Sequence, residues 1–266
     1  MDLEEIMVDI GDQEICYHVS KSGNKPLVYI HGLLDASFGF RKILPHLSNE
    51  WKVYLVDVPS FGKSKLPPLK VLFQIPIFAE MIYNSIKKLG LKDVTLVGHS
   101  MGGLIGQHLC LVDKNSEFQR ISKLILLSPG NEPHEKRDEV RELLFPENEE
   151  EVNHLLHSLY YARIPEPSEF LKKTLVYGWN SKEYHYLAEN TIEKEHEVFF
   201  GKKAGEIKIP TLILAGENDE IVPLKSLKNL KKWIKGSKLS IIHHTRHAIH
   251  LEAPVKIAHE INDFGI

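Results

Sequence analysis

The pentapeptide Gly98-His99-Ser100-Met101-Gly102 follows directly on the apolar run Val94-Thr95-Leu96-Val97, and it constrains the fold more than any other stretch of the chain. A strand that breaks into Gly-x-Ser-x-Gly turns into a helix so sharply that only residues without a bulky side chain fit at Gly98 and Gly102. The serine between them takes a strained backbone, and its hydroxyl stands exposed at the start of the helix. Chance alone produces the pentapeptide in roughly one chain in fifteen of this size and glycine content, so its surroundings decide what it means.

Those surroundings read as alternating strands and helices. Glu5–Ile10 and Glu14–Val19 alternate around Gly11-Asp12 as a hairpin would, and short, almost purely apolar strands follow at Leu27–Ile30, Val53–Val56, Val94–Val97 and Leu124–Leu127. Strands of that kind belong to a parallel sheet covered on both faces. Helical patterns over Phe78–Leu89 and Gly103–Val112 separate them, and the alternation resumes with strand Thr211–Ala215, helix Leu224–Ile234, strand Leu239–Ile242 and helix Val255–Asn262. The expected architecture is α/β, a doubly wound and mostly parallel sheet. Residues 131–205 interrupt this pattern with an acidic run, Glu147–Glu151, many aromatics and a helical rhythm, so they are expected to form a helical insertion. The core is then made of residues 1–130 and 206–266.

Bulk properties remove several classes of function. With 42% hydrophobic and 26% charged residues among 266, the chain can bury a substantial core. A net charge of −3 offers nucleic acid no attraction, and the lysines between Lys225 and Lys238 alternate with Leu and Trp as a solvated helix face does. The acidic start Met1-Asp2-Leu3-Glu4-Glu5 lacks the features of a signal peptide, and no run approaches the ~18 apolar residues of a membrane span. A cytoplasmic location is expected, with Cys16 and Cys110 as small buried thiols, because two cysteines make no disulfide framework. Nothing in the chain asks for a cofactor.

A serine hydroxyl is a poor nucleophile near neutral pH, so Ser100 needs a histidine to accept its proton and a carboxylate to orient that histidine. Asp219 lies in the polar loop Gly216-Glu217-Asn218-Asp219-Glu220, directly beyond the carboxyl end of a strand, with Glu132 as the reserve acid. His247 follows the strand Leu239–Ile242, with His250 as the alternative base. His243, His244, His247 and His250 also admit a metal reading, but the chain has no His-Glu-x-x-His motif and the segment does not suit one helix face, so no metal is expected.

At these residues the chain resembles the α/β-hydrolase family, its serine esterase and lipase-like branch with a helical cap. The order Ser100, Asp219, His247 is that family's order. Pro26-Leu27-Val28-Tyr29-Ile30-His31-Gly32 resembles the strand entering the family's oxyanion loop, and Asp57-Val58-Pro59-Ser60-Phe61-Gly62-Lys63-Ser64 its Asp-x-x-Gly-x-Gly-x-Ser loop, with Ser60 in place of a glycine. Arg246-His247-Ala248-Ile249-His250-Leu251-Glu252-Ala253-Pro254 resembles the terminal Gly-His-x-x-x-x-Glu-x-Pro segment, with Arg246 replacing the glycine. Alignment on Glu252 and Pro254 places His247 at the catalytic position. The resemblance implies an oxyanion hole from the backbone N–H groups of Met101 and Leu33, which stabilise charge developing on a carbonyl oxygen. His31 is expected to be structural.

The implied activity is hydrolysis of small to medium, fairly apolar carboxylic esters through an acyl-enzyme on Ser100. A serine nucleophile sets aside the dehalogenases and epoxide hydrolases, which use aspartate. Carbon–carbon bond hydrolases rank second, because His31-Gly32-Leu33-Leu34-Asp35 does not resemble their glycine-rich loop. Thioesterases, lipases, amidases and acyltransferases share all three residues and differ in pocket shape and water access. A ligand sensor that retains the triad but turns over slowly is the remaining alternative. The aromatics Tyr160, Tyr161, Phe170, Tyr177, Trp179, Tyr184, Phe199 and Phe200 read as the insertion's own small core, some of them facing the site.

Overall fold

A computed structural model describes residues 2–266. Eight strands make one sheet: β1 (Leu3–Asp9), β2 (Glu14–Ser20), β3 (Lys25–Ile30), β4 (Trp51–Val56), β5 (Val94–His99), β6 (Ile121–Leu127), β7 (Thr211–Gly216) and β8 (Lys238–Ile242). Their order across the sheet is β1-β2-β4-β3-β5-β6-β7-β8. β1 and β2 form the antiparallel hairpin, β2 pairs antiparallel with β4, and all later pairings are parallel. The chain runs outward from β3 to β4 and then crosses back to lay β5 on the other side of β3. That reversal opens a crevice beyond the carboxyl ends of β3 and β5, where α/β sheets bind ligands.

Continuous apolar strands arise because both faces are covered. Val28, Ile30, Leu96, Leu124, Leu126 and Ile213 pack on one face with α1 (Ile75–Lys88) and α2 (Met101–Lys114). Leu27, Tyr29, Val97, Ile125 and Leu127, which alternate with them, point to the other face. There they meet Phe40 and Ile43 and the terminal helix. Each such fully buried aliphatic side chain contributes on the order of 1.5–3 kcal/mol. α1 begins three residues before the apolar rhythm suggests, because Pro76 at its first turn needs no hydrogen-bond partner there.

Between β6 and β7 lie α3 (Arg137–Leu144), α4 (Glu149–Leu159), α5 (Glu169–Trp179), α6 (Lys182–Glu193) and α7 (Glu195–Val198), with no strand among the described residues. The acidic run starts α4, and Asn148 caps it by accepting the N–H groups of Glu150 and Glu151. α8 (Leu224–Trp233) buries Leu227 and Leu230 and turns its lysines outward. α9 (Ile249–Glu252) and α10 (Pro254–Gly265) complete the chain. Cys16 and Cys110 are buried free thiols. No helix among the described residues is long and apolar enough to cross a membrane.

The aromatics of the helical stretch do not form a core of their own. Phe170 and Tyr177 are 82% and 86% exposed, and Tyr161 is exposed too. Tyr184 instead stacks on Phe61 of the core, with ring centroids 4.7 Å apart, and Phe200 lies 4.1 Å from the His108 ring. Phe199, as expected of some of these rings, lines a cavity beside Ser100.

Candidate active site

Ser100 sits between β5 and α2 with φ 52° and ψ −116°, a backbone conformation that a non-glycine residue adopts only under constraint. The constraint is visible on both sides. A Cβ at Gly98 would strike the Gly102 carbonyl, and one at Gly102 would strike the Ile30 carbonyl. The Ser100 N–H donates to Leu127 O at 2.9 Å, and Ser100 O accepts from Gly103 and Gly130. The serine's backbone is therefore held between the end of β5 and β6, with Gly102 packed against Ile30 of β3.

The structure brings Ser100, His247 and Asp219 together across 147 and 28 residues of sequence. His247 Nε2 lies 2.8 Å from Ser100 Oγ, and His247 Nδ1 lies 2.9 Å from Asp219 Oδ2. With a carboxylate oxygen as acceptor, Nδ1 carries the proton and Nε2 accepts from the serine hydroxyl. Asp219 Oδ1 accepts the N–H groups of Ile221 and Val222 at 3.0 and 2.9 Å, so the loop after β7 fixes one carboxylate oxygen while His247 holds the other. Asp219 and His247 are 6% and 3% exposed. Ser100 alone of the three is open to a ligand, lining a cavity of about 250 Å³.

Leu33 and Met101 line the same cavity beside Ser100. Neither backbone N–H donates to another group among the described residues. Met101 is the first residue of α2, where helical N–H groups lack partners and the dipole favours negative charge. His31 prepares the opposite side. Its Nε2 accepts the Val58 N–H at 3.0 Å, which places its proton on Nδ1, donated to Gly32 O at 2.8 Å. Burial lowers the pKa of His31 against the pull of Asp35 and Asp57, so it stays neutral and acts as a brace.

The loop from Asp57 to Ser64 is a second brace. Asp57 accepts the N–H groups of Ser37 at 3.1 Å and Lys63 at 2.9 Å, while Ser64 Oγ donates to Asp57 O and accepts the Cys16 N–H. A Cβ at Gly62, where φ is 54°, would strike the Asp57 carboxylate. Ser60, in place of a second glycine, still takes φ 79°, and its buried hydroxyl finds no partner among the described residues.

His250 and Glu132 do not join Ser100. His250 Nε2 faces Asp35 at 3.6 Å, and Glu132 accepts from Asn229 at 3.2 Å. The histidine run does not gather around one point either, since His243 pairs with Glu217. Arg246 has no left-handed backbone, so this position does not require glycine. Its N–H donates to Glu252 Oε2 at 2.8 Å, and its guanidinium donates to His157 O at 2.6 Å. Glu252 Oε1 accepts the N–H groups of Tyr161 and Ala162, so one carboxylate joins the His247 loop to the helical stretch. The sequence pattern contained this glutamate as part of a motif but gave no sign of what it would hold.

Apolar side chains from that stretch, among them Val140, Leu144, Leu187 and Phe199, close over the cavity opposite Leu33 and Leu104. Arg137 and Arg141 stand among its lining residues, Arg137 paired to Glu195 at 2.8 Å.

A strained serine elbow at the crevice of a doubly wound sheet, facing a buried histidine and carboxylate, defines a hydrolase of α/β fold. The chain belongs to the alpha/beta hydrolase fold family, whose sequence model matches residues 25–254. It is 26% identical to the uncharacterized hydrolase YugF of Bacillus subtilis, over 93% of this chain and 92% of that protein. It is 25% identical to a 2-hydroxy-6-oxononadienedioate/2-hydroxy-6-oxononatrienedioate hydrolase of Klebsiella pneumoniae, over 88% and 85%. With the human monoacylglycerol lipase ABHD6 it shares 24% identity over 95% and 79%. Among solved structures, a serine hydrolase of carbazole degradation superposes with TM-score 0.82 at 22% identity, covering 98% of each chain.

Proposed function

We propose that the protein hydrolyses carboxylic esters of small to medium, apolar substrates, with Ser100, His247 and Asp219 as its catalytic triad. The observation that carries this reading is the unbroken line from Asp219 Oδ2 through His247 to Ser100 Oγ, with hydrogen bonds of 2.9 and 2.8 Å ending at an apolar cavity. Ser100 attacks the acyl carbonyl as His247 Nε2 takes its proton, and Asp219 stabilises the imidazolium. The N–H groups of Leu33 and Met101 hold the oxyanion, each worth about 3–4 kcal/mol in the transition state. His247 returns its proton to the leaving alcohol and then activates water against the acyl-enzyme. Residues 131–205 act as a cap that closes over the acyl group and excludes water.

Release of p-nitrophenol from acyl esters of graded chain length tests this. The wild type is expected to turn over within ~1–10³ s⁻¹ on its best ester, and Ser100→Ala and His247→Ala to be inactive. A wild type inactive across the series would overturn the ester reading.

Carbon–carbon bond cleavage is the second reading. The similarity to a hydrolase of oxo-dienedioates favours it, and Arg137 and Arg141 among the cavity residues could face a substrate carboxylate. The loop from His31 to Asp35, with its apolar Leu33 and Leu34, supports the ester reading instead. Turnover of a hydroxy-oxo-dienoate with no ester hydrolysis would select the second reading.

A further inference from the structure

Asp35, His99 and His250 form a buried cluster that the proposed reaction does not use. One donor atom from each lies within 4.8 Å of the other two. His99 and His250 are 5% and 1% exposed, with ring centroids 4.2 Å apart. His99 Nδ1 and both ring nitrogens of His250 have no hydrogen-bond partner among the described residues. Buried polar atoms are normally satisfied, so two buried imidazoles that each bring an unpartnered nitrogen to one carboxylate call for an explanation.

The geometry suits a shared ion better than direct bonding. The separation of 3.6 Å between His250 Nε2 and Asp35 Oδ2 is too long for a hydrogen bond. Ligand atoms held about 2.0–2.1 Å from a tetrahedral ion are, however, roughly 3.4 Å from one another. His99 is already arranged as metal-bound histidines are. Its Nε2 donates to His247 O at 3.1 Å, which leaves the Nδ1 lone pair turned into the cluster. Two imidazoles and one carboxylate suit zinc-like ions, whereas calcium and magnesium prefer all-oxygen shells.

We propose that Asp35, His99 and His250 bind one divalent transition-metal ion of the zinc class. Asp35 lies two residues beyond Leu33, His99 immediately precedes Ser100, and His250 follows His247 by three. The ion thus clamps together the three segments that carry the oxyanion donor, the nucleophile and the base. The Asp35 side chain, 27% exposed, gives the ion its entry and a solvent ligand. The site stands whether the cleaved bond is an ester or a carbon–carbon bond.

The test is titration of the chelator-stripped full-length protein with Zn²⁺ and, separately, Co²⁺, followed by calorimetry and by visible d–d absorption. One equivalent is expected to bind, raising Tm by about 5 °C at a hundredfold excess over Kd. His250→Gln and Asp35→Asn are each expected to lose the absorption and the Tm rise, and Ser100→Ala and His259→Asn to retain both. No binding by the wild type, or undiminished binding in Asp35→Asn, overturns the proposal and leaves an ion pair between His250 and Asp35. If His250→Gln fails to give a folded circular dichroism spectrum, the Asp35→Asn result decides.

Discussion

Around Ser100, a methyl group added at Gly98 or Gly102 would run into a backbone carbonyl, and the serine's own backbone is bonded to β6 and to the loop that follows it. Between β6 and β7, by contrast, five helices bury few side chains, chiefly Val152, Leu155, Leu187 and Val198, and the stretch meets the rest of the molecule through exposed pairs such as Lys70–Glu189 and Lys225–Glu135. Ser100 is placed by steric necessity, and the cavity roof by many weak contacts. A residue placed in this way tolerates almost no change, while the roof over the cavity remains adjustable.

The contrast breaks if changes at the elbow prove mild. Ser100→Ala is expected to lower kcat by about 10⁶, with His247→Ala no worse in combination than alone, because the residues act as a unit. Single-turnover kinetics on a p-nitrophenyl ester would show it. Gly102→Ala is expected to remove at least about 3 kcal/mol of stability or to prevent folding, since the obstacle is backbone that cannot move aside. Urea denaturation measures it. Ser100→Gly sharpens the point, because it should relieve roughly 1–3 kcal/mol of strain and raise Tm in an inactive protein.

A pH experiment reaches the seam between the two regions. His108 of α2 donates to Val198 O at 2.8 Å, and burial lowers its pKa to about 4. The unfolded chain, with an ordinary histidine, binds the proton first. Stability should therefore fall as pH drops from about 6.5 to 4, by roughly 3 kcal/mol for this group. His31 and His99, also lowered by burial, add to the same slope. His108→Gln, which keeps a donor for Val198, is expected to flatten the slope in urea titrations across that range. Changes in the roof should matter least. Phe199→Ala is expected to shift the preferred acyl chain length and alter kcat/KM by about tenfold, and Arg137→Ala to cost under about 1 kcal/mol of stability.

The same division governs what could be read in advance. The parallel strands were legible because both faces are buried, so Leu27–Ile30 and Leu124–Leu127 are continuous apolar runs. The elbow was legible because its glycines answer to local sterics. The convergence of Ser100, His247 and Asp219 followed from each lying beyond the carboxyl end of a strand. His247 and His250, three residues apart, are alike in type, and only the resemblance around Glu252 and Pro254 favoured His247; in the fold His247 lies beside Ser100 and His250 turns toward Asp35. The aromatics misled, because hydrophobicity does not say whether a ring meets a neighbour: Tyr184 found Phe61, and Tyr177 found solvent. Asn148 as a cap and Glu252 as a bridge depend on backbone N–H groups that carry no residue identity.

Glu252 bears on how such a protein could be re-engineered. Its two oxygens reach Arg246 on one side and Tyr161 and Ala162 on the other, and Ala248 N–H donates to Leu159 O at 3.0 Å close by. All of these junctions use main-chain atoms of the helical stretch, so they read the path of the backbone and ignore which side chains it bears. A chimera that imports a foreign stretch between β6 and β7 need only bring the chain past Glu252 and Ala248 along the same path. The docking seam would then act as a sequence-blind socket, letting one hydrolytic chassis carry interchangeable selectivity modules.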